Sequence, residues 1–554
     1  MPQAHGPNAD PSRNNSLLST LLSTFAKTLG PCASCRNTHT FSRRCDPILF
    51  GAVVVLALGM RLIDLERGSP WYDEVLTLYF LDADNFASFV QEQRAAEGTG
   101  SFAYLVIAWI ATHYLPGDPV ATLRGISIAL GLFSLAGTYY MGLRTLGRYA
   151  AVTSSLLLAL SLTHIFYSQG IRPYALLMAA STFASIAFLQ AYAHPRVSSG
   201  WLGANTLLNV LVVWSHMLGP LLLLSQGLTL WIHRGRQVKQ WLVWGACQLP
   251  GVAALGYFWI RTLDWNFVWR VAPDIPPQGL PEVLGYFHVL LGTRLERQTV
   301  GLANFMHTQV SLDTAILLGA SIGLVLAAWL LIRYDITKDP PEGQCTWDPK
   351  FALSYLFLWL FAPALILFTL DNLWTTLFFA RYVFHTSIPL VLLVAIGFSR
   401  FPTPWLRNSL AGLLVCALAY QYLAFEGPLR HDYKATFNTI LHADGLDDPI
   451  IGYPFYYRRT VIYNWQRLFP PTEAPIPEIL WPEDRSELLK HLREHSLSHG
   501  RSWLILHEHV CAPSELETDL RNMGLDFERF RIPGGMPPIF VYEVWKKVNA
   551  HHHG

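Results

Sequence analysis

Apolar runs long enough to cross a bilayer recur from Pro47 to about Phe425, and no other feature restricts the fold of this chain as much. A membrane-spanning helix needs about 20 mostly apolar residues. Hydrocarbon offers its backbone no partner, so such a run folds as a helix. Of the 554 residues, 52% are hydrophobic and only 14% are charged, against about a quarter charged in soluble proteins. That excludes a soluble cytosolic enzyme, a disordered chain and a nucleic-acid binder. Forty basic and 39 acidic residues leave a net charge of +1, so no bulk field gathers a polyanion.

The spacing of apolar runs and basic turns predicts a polytopic α-helical protein with about eleven spans. Arg36, Arg43 and Arg44 precede the first run, which places the N-terminus in the cytoplasm by the positive-inside rule. Arg144 and Arg148 mark the next cytoplasmic turn. Residues 66–120 then form one external loop, in which the short run Phe102–Leu115 lies as an interfacial helix. A span at about 149–165 ends in an outer turn around Tyr167–Arg172. Residues 201–232 are broken at His216 and Gly219-Pro220 into two short spans, and a second external loop covers about 262–311. After the last span, apolar runs at Pro449–Tyr453, Trp503–Leu506 and Ile539–Trp545 alternate with helical patterns at Ser486–His495 and Pro513–Met523. That alternation predicts a small α/β domain outside the membrane.

The expected organisation is therefore 1–46, a cytoplasmic tail in which Leu17, Leu18, Leu21, Leu22, Phe25 and Leu29 recur at helical spacing; 47–425, the membrane module; and 426–549, the external α/β domain. The outer segments carry no Asn-x-Ser/Thr sequon, the one at Asn14 lying in the tail. This favours a bacterial inner membrane with a periplasmic C-terminal domain. Cys32, Cys35, His39 and Cys45 cluster near the start. Their chemistry suits zinc, but the spacing matches no standard finger, and a reduced, unstructured tail is the other reading.

Three segments carry chemistry. The first is Arg61-Leu-Ile-Asp-Leu-Glu-Arg-Gly-Ser69-Pro70-Trp71-Tyr72-Asp73-Glu74, just outside the first span. Ser69 suits a helix N-cap and Pro70 the first helical position. Asp73 and Glu74 then stabilise the helix start, or one of them is a catalytic carboxylate at the membrane–water boundary. The second segment is His164-Ile-Phe-Tyr167-Ser-Gln169-Gly170-Ile-Arg172-Pro-Tyr174, and the third is Phe379-Ala-Arg381-Tyr382-Val-Phe-His385-Thr-Ser-Ile-Pro389. Both set an arginine beside a tyrosine on the outer face. Arg261, Arg270, Arg294 and Arg297 also fall there. External arginines run against the positive-inside bias, and their forked donors match phosphate oxygens. They pair instead with Asp264, Asp274, Glu282 or Glu296, or face water, on the other reading.

Trp-Tyr-Asp-Glu after the first span, Tyr-Ser-Gln-x-x-Arg-Pro-Tyr after the third and Ala-Arg-Tyr before a proline in a late span resemble GT-C class membrane glycosyltransferases. The resemblance is to the bacterial branch similar to protein O-mannosyltransferases and the lipid A aminoarabinose transferase, and Trp214-Ser215-His216 adds to it. It covers roughly residues 47–400 and implies inverting transfer of a sugar from a polyprenyl-monophosphate carrier to an acceptor glycan, lipid or protein on the outer face. It also implies Asp73 as general base with Glu74 in support. Arg172, Arg381, Tyr382 and Arg270 would hold the carrier phosphate. Trp71, Tyr72, Tyr167, Gln169, Tyr174, His216 and His385 would line the sugar and acceptor pocket. Gly170 departs from the pattern, because the family usually has an acid there; a divalent metal stays open as a cofactor, but without the second carboxylate that would help hold it.

Two other readings stand beside this one. A glycan polymerase or ligase would use a lipid-diphosphate donor, but the Asp-Glu pair after the first span is not expected there. A transporter of lipid-linked glycans tends to bury ionisable residues in the middle of its spans, whereas here the charges gather at the outer ends.

Overall fold

The protein is seen in a computed structural model that describes residues 42–95, 101–194, 196–262, 280–293, 310–333, 347–373, 379–425, 427–443, 447–469, 476–507, 511–534 and 538–547. Helix α1 (Ser42–Leu62) leads to three short helices, α2 (Tyr72–Phe80), α3 (Phe86–Ala95) and α4 (Phe102–Tyr114). The last of these has 13 residues and coincides with the run expected to lie at the interface. Helix α5 (Pro119–Leu146) has a start built by local residues. Pro119 stands in its first turn, and the Asp118 carboxylate accepts from the Ala121 N–H, satisfying one of the orphan donors of a helix start.

The apolar run at 149–165 is not one straight span. It divides into α6 (Arg148–Leu160) and α7 (Leu162–Ser168), bent by 67°. At the break the Leu162 N–H donates to the Gly292 carbonyl at 3.2 Å instead of to its own helix. The Ser161 hydroxyl then accepts from His164 N–H to restart the helix. A side chain at 292 would collide with Ser161 and the Leu162 backbone, and Gly292 has φ +78. Only glycine allows that approach and that conformation.

Helices α8 (Tyr174–Tyr192), α9 (Ser199–Ser215), α10 (Pro220–Arg234), α11 (Val238–Thr262), α12 (Leu280–Leu291), α13 (Val310–Arg333) and α14 (Pro349–Leu373) follow. A 3₁₀ turn at Ala380–Thr386 runs into α15 (Ser387–Phe398), and α16 (Pro404–Leu423) ends the helical part. Among the described residues, four stretches are long and apolar enough to cross a membrane: α5, α8, α14 and the turn with α15; the bent pair α6–α7 makes a fifth. Residues 201–232 form α9 and α10, of 17 and 15 residues, separated at His216–Gly219 as the sequence suggested.

The tail is an α/β unit: α17 (Tyr433–His442), β1 (Ile450–Tyr453), α18 (Arg458–Leu468), β2 (Ile479–Leu480), α19 (Arg485–Ser498), β3 (Arg501–His507), α20 (Pro513–Asn522), β4 (Leu525–Ile532) and β5 (Ile539–Lys546). The sheet order is β2-β1-β3-β5-β4, with β1 parallel to β2 and β3, and β5 antiparallel to β3 and β4. Helices cover both faces. Leu488, Leu492, Leu516 and Leu520 pack with Leu504 and Leu506 on one side. Tyr433, Phe437, Val461 and Trp465 pack with Trp503 and Ile505 on the other. Burial on both faces explains the continuous apolar run of β3.

Candidate active site

Helix α2 begins two residues later than the sequence suggested. Trp71, not Ser69, stands at the N-cap position, with no side-chain hydrogen bond to the helix. Ser69 and Pro70 are taken up elsewhere. Ser69 N–H donates to His431 O at 2.9 Å, its hydroxyl accepts from Tyr433 N–H at 3.2 Å, and Pro70 O accepts from Asn464 Nδ2 at 2.9 Å. All three partners belong to the tail or its linker. Asp73 and Glu74 still fall in the first turn of α2.

The two carboxylates have opposite environments. Glu74 is fully buried. Its Oε1 accepts from Ile171 N–H and from Arg430 Nε, both at 2.9 Å, and its Oε2 lies 3.6 Å from Arg124 Nη2. A buried carboxylate costs several kcal/mol unless it is paired and hydrogen-bonded. Here two buried arginines and a backbone N–H meet that cost. Asp73 keeps 21% of its side chain exposed, and its charged neighbour is Arg172, with Nη2 3.9 Å from Oδ2. Arg172 is itself anchored by hydrogen bonds from Nη1 to Asp73 O (3.3 Å) and Thr77 Oγ1 (3.2 Å). Asp73 is thus a carboxylate beside a cation, with part of its side chain open to solvent.

Segments far apart in sequence build the wall beside it. Tyr167 meets Tyr174 with ring centroids 4.4 Å apart. Tyr174 meets His216 at 5.8 Å, and His216 meets Tyr382 at 5.6 Å. The Arg381 guanidinium lies 5.3 Å from the Tyr382 ring and 5.1 Å from Phe379, a cation–π setting that fixes its plane. His216 Nδ1 accepts from Leu218 N–H at 3.2 Å, which leaves the proton of a neutral ring on Nε2. Burial, then Arg172, His385 and Arg381, push its pKa down to about 3. His216 is therefore an uncharged donor among cations.

Other residues singled out in the sequence lie around this cluster. Trp71 is buried, 6.3 Å from the Phe166 ring. Tyr72 reaches the tail, meeting Tyr456 at 5.7 Å and Tyr457 at 5.8 Å. Gln169 is buried, and its Nε2 donates to Arg61 O and Ile63 O at 3.0 and 3.2 Å; its amide holds the end of α1 beneath the cluster. His385 is fully buried and accepts from Trp359 Nε1 at 2.8 Å. Arg270, Cys32, Cys35, His39 and the side chain of Cys45 lie outside the described residues. Among the described residues no group of three or more His, Cys, Asp or Glu is placed to hold a metal ion.

Gly170 has a direct physical cause. A Cβ there would stand 2.8 Å from Arg430 Nη2 and 3.3 Å from Glu74 Oε1. The Glu74–Arg430 pair fills the space that a side chain at 170 would need. Gly170→Ala should therefore cost about 1–3 kcal/mol of stability, as overpacking does. Thermal unfolding of the detergent-solubilised protein reads this, and an unchanged midpoint would contradict the close approach.

Arg430 and Arg124 are the residues that sequence reasoning missed. Arg430 is 3% exposed, donates from Nη2 to Phe166 O at 2.7 Å, and lies over the Phe166 ring at 4.6 Å. Its one sequence signal is a cation just beyond the last apolar run, in Pro428-Leu-Arg430-His-Asp432. Arg124 donates to Leu65 O at 2.6 Å and stands near the start of α5.

No known family matches the sequence, and no curated protein does. Solved structures similar to this chain include an archaeal oligosaccharyltransferase and ArnT. One is the archaeal oligosaccharyltransferase AglB from Archaeoglobus fulgidus, solved in complex with an inhibitory peptide and a dolichol-phosphate. It is 11% identical over 88% of this chain and 73% of its own, with a TM-score of 0.47. Another is ArnT from Cupriavidus metallidurans in the apo state, 14% identical over 90% of this chain and 97% of its own, with a TM-score of 0.37. ArnT bound to undecaprenyl phosphate is 13% identical, with the same coverage and TM-score.

Proposed function

We propose that the protein is an inverting glycosyltransferase that moves a sugar from a polyprenyl-monophosphate carrier to an acceptor hydroxyl at the outer face of a bacterial inner membrane. The observation that carries this reading is the part-exposed carboxylate Asp73, held 3.9 Å from Arg172 beside the Tyr174–His216–Tyr382–Arg381 wall. Displacing a lipid phosphate from an anomeric carbon needs a base on the acceptor side and cations for the charge that develops on the leaving group.

In this mechanism the acceptor oxygen attacks the anomeric carbon while Asp73 takes its proton. The bond from that carbon to the phosphate oxygen breaks on the opposite face, through an oxocarbenium-like centre. The polyprenyl phosphate leaves with the electron pair, held by Arg381 and Tyr382, with Arg172 reaching from the Asp73 side. Neutral His216, Tyr167 and Tyr174 form the sugar-facing wall, with Trp71 and Tyr72 at its acceptor edge. A divalent cation is no part of the proposal, because Gly170 stands at the position of the second acid. The tail shares a membrane face with Asp73 on this reading, since its linker bonds Ser69 and its helix α18 bonds Pro70. The acceptor is a glycan, lipid or protein that reaches that face.

Arg381→Ala should raise the dissociation constant for a polyprenyl-phosphate sugar roughly 10- to 150-fold, the worth of a hydrogen bond to a charged group. A titration of the purified variant measures it, and retained affinity would remove Arg381 from the phosphate site. Tight binding of a lipid-diphosphate donor in preference to the monophosphate would instead favour a polymerase or ligase.

A further inference from the structure

We propose that Arg430 is a positioning residue for the transfer reaction: through Glu74 it sets where Asp73 stands, so that the root of the tail domain is part of the catalytic apparatus. This rests on the reading of Asp73 as the base.

Arg430 lies in the linker between α16 and α17. Its guanidinium reaches three places at once: Glu74 Oε1 on α2 at 2.9 Å, Phe166 O on α7 at 2.7 Å, and Gln169 Oε1 in the following turn at 3.5 Å. Those last two segments carry the Tyr167–Arg172 stretch, so a single side chain ties the base-bearing helix to the arginine-bearing turn. Neighbouring residues of the linker fasten the same strand of chain. Arg67 is 3.5 Å from Asp432, Gly68 packs against the Arg430 side chain, and Ser69 bonds both His431 and Tyr433. Residues 67–74 are held by the tail's root along most of their length.

Stability alone gives little reason for this arrangement. A buried ion pair is often no better than a packed apolar pair of the same volume. What the forked guanidinium adds is direction, because its donors fix Glu74 and the 166–169 backbone in one geometry. Glu74 is the next residue to Asp73, so its carboxylate and the Asp73 backbone move together.

The test uses the full-length protein with three variants: Arg430→Gln, Arg430→Lys, and Glu74→Gln combined with Arg430→Gln. Arg430→Gln should lower kcat about 100-fold with the donor KM little changed, as expected when a reacting group is misplaced by about 1 Å. Arg430→Lys keeps the charge but not the fork and should recover only part of that loss. Measured beside the single Glu74→Gln protein, the double variant should lose about tenfold less than the product of the two single losses, the signature of a coupled pair. Hydrogen–deuterium exchange gives a readout without turnover. Residues 67–80 should exchange faster in Arg430→Gln while α5 and α8 stay as in the wild type. A changed KM with unchanged kcat, or equal exchange at 67–80, overturns the proposal. If the wild type transfers no sugar from any polyprenyl-phosphate donor, the functional reading falls. Faster exchange at 67–80 would then still mark Arg430 as the residue that holds Asp73.

Discussion

Asp73→Asn folds as the wild type does and loses sugar transfer by about 100- to 10,000-fold, the usual contribution of a general base. The two halves of this expectation have separate causes. The side chain of Asp73 is part-exposed, and its recorded charged contact is 3.9 Å long. An ion pair of that kind contributes about 0–1 kcal/mol, and asparagine matches the carboxylate in shape. Nothing in the packing of α2 is disturbed. The amide, however, cannot take a proton from an acceptor hydroxyl. Single-turnover release of the carrier measures the rate, and the unfolding midpoint measures the fold. A variant that keeps most of its turnover would mean that another group is the base.

Glu74→Gln, one residue further on, has the reverse profile in stability. It leaves Arg124 and Arg430 buried with no counter-charge, each 3% exposed. Removing one partner of a buried ion pair costs about 3–5 kcal/mol. The midpoint of thermal unfolding should therefore fall well below that of the Asp73→Asn protein. Activity falls as well, because α2 loses the contacts that fix its first turn. Equal stability of the two variants would contradict the clamp drawn around Glu74.

This contrast marks how far the sequence could be read. The acidic pair at a helix start was legible, because the apolar run that ends before it and Ser69-Pro70 mark a helix beginning nearby. Arg172 and Arg381 drew attention in the sequence because a cation at the expected outer end of a span needs a reason, and each stands near a tyrosine. The roles within the acidic pair were not legible. Arg430, which takes up Glu74, is 356 residues away along the chain. Gln169 looked like a pocket residue, but its donors are bound to the carbonyls of Arg61 and Ile63, contacts with no local signature. The bend after Leu160 has the same origin. Its polar residues Ser161, Thr163 and His164 stand in an apolar run, but the carbonyl that opens the helix comes from Gly292. In the tail, β1, β3 and β5 declared themselves as apolar runs. The edge strand β4, Leu-Asp-Phe-Glu-Arg-Phe-Arg-Ile, carries charges that blunt an open edge and so hide it from a search for apolar runs.

Donor turnover tests the central claim most directly. Purified protein would be reconstituted with a panel of polyprenyl-phosphate sugars and the released carrier followed by mass spectrometry, wild type beside Asp73→Asn. The account predicts slow release of polyprenyl monophosphate from one sugar donor by the wild type and none by the variant. Equal release by both proteins, or neither binding nor release across the whole panel, would contradict it.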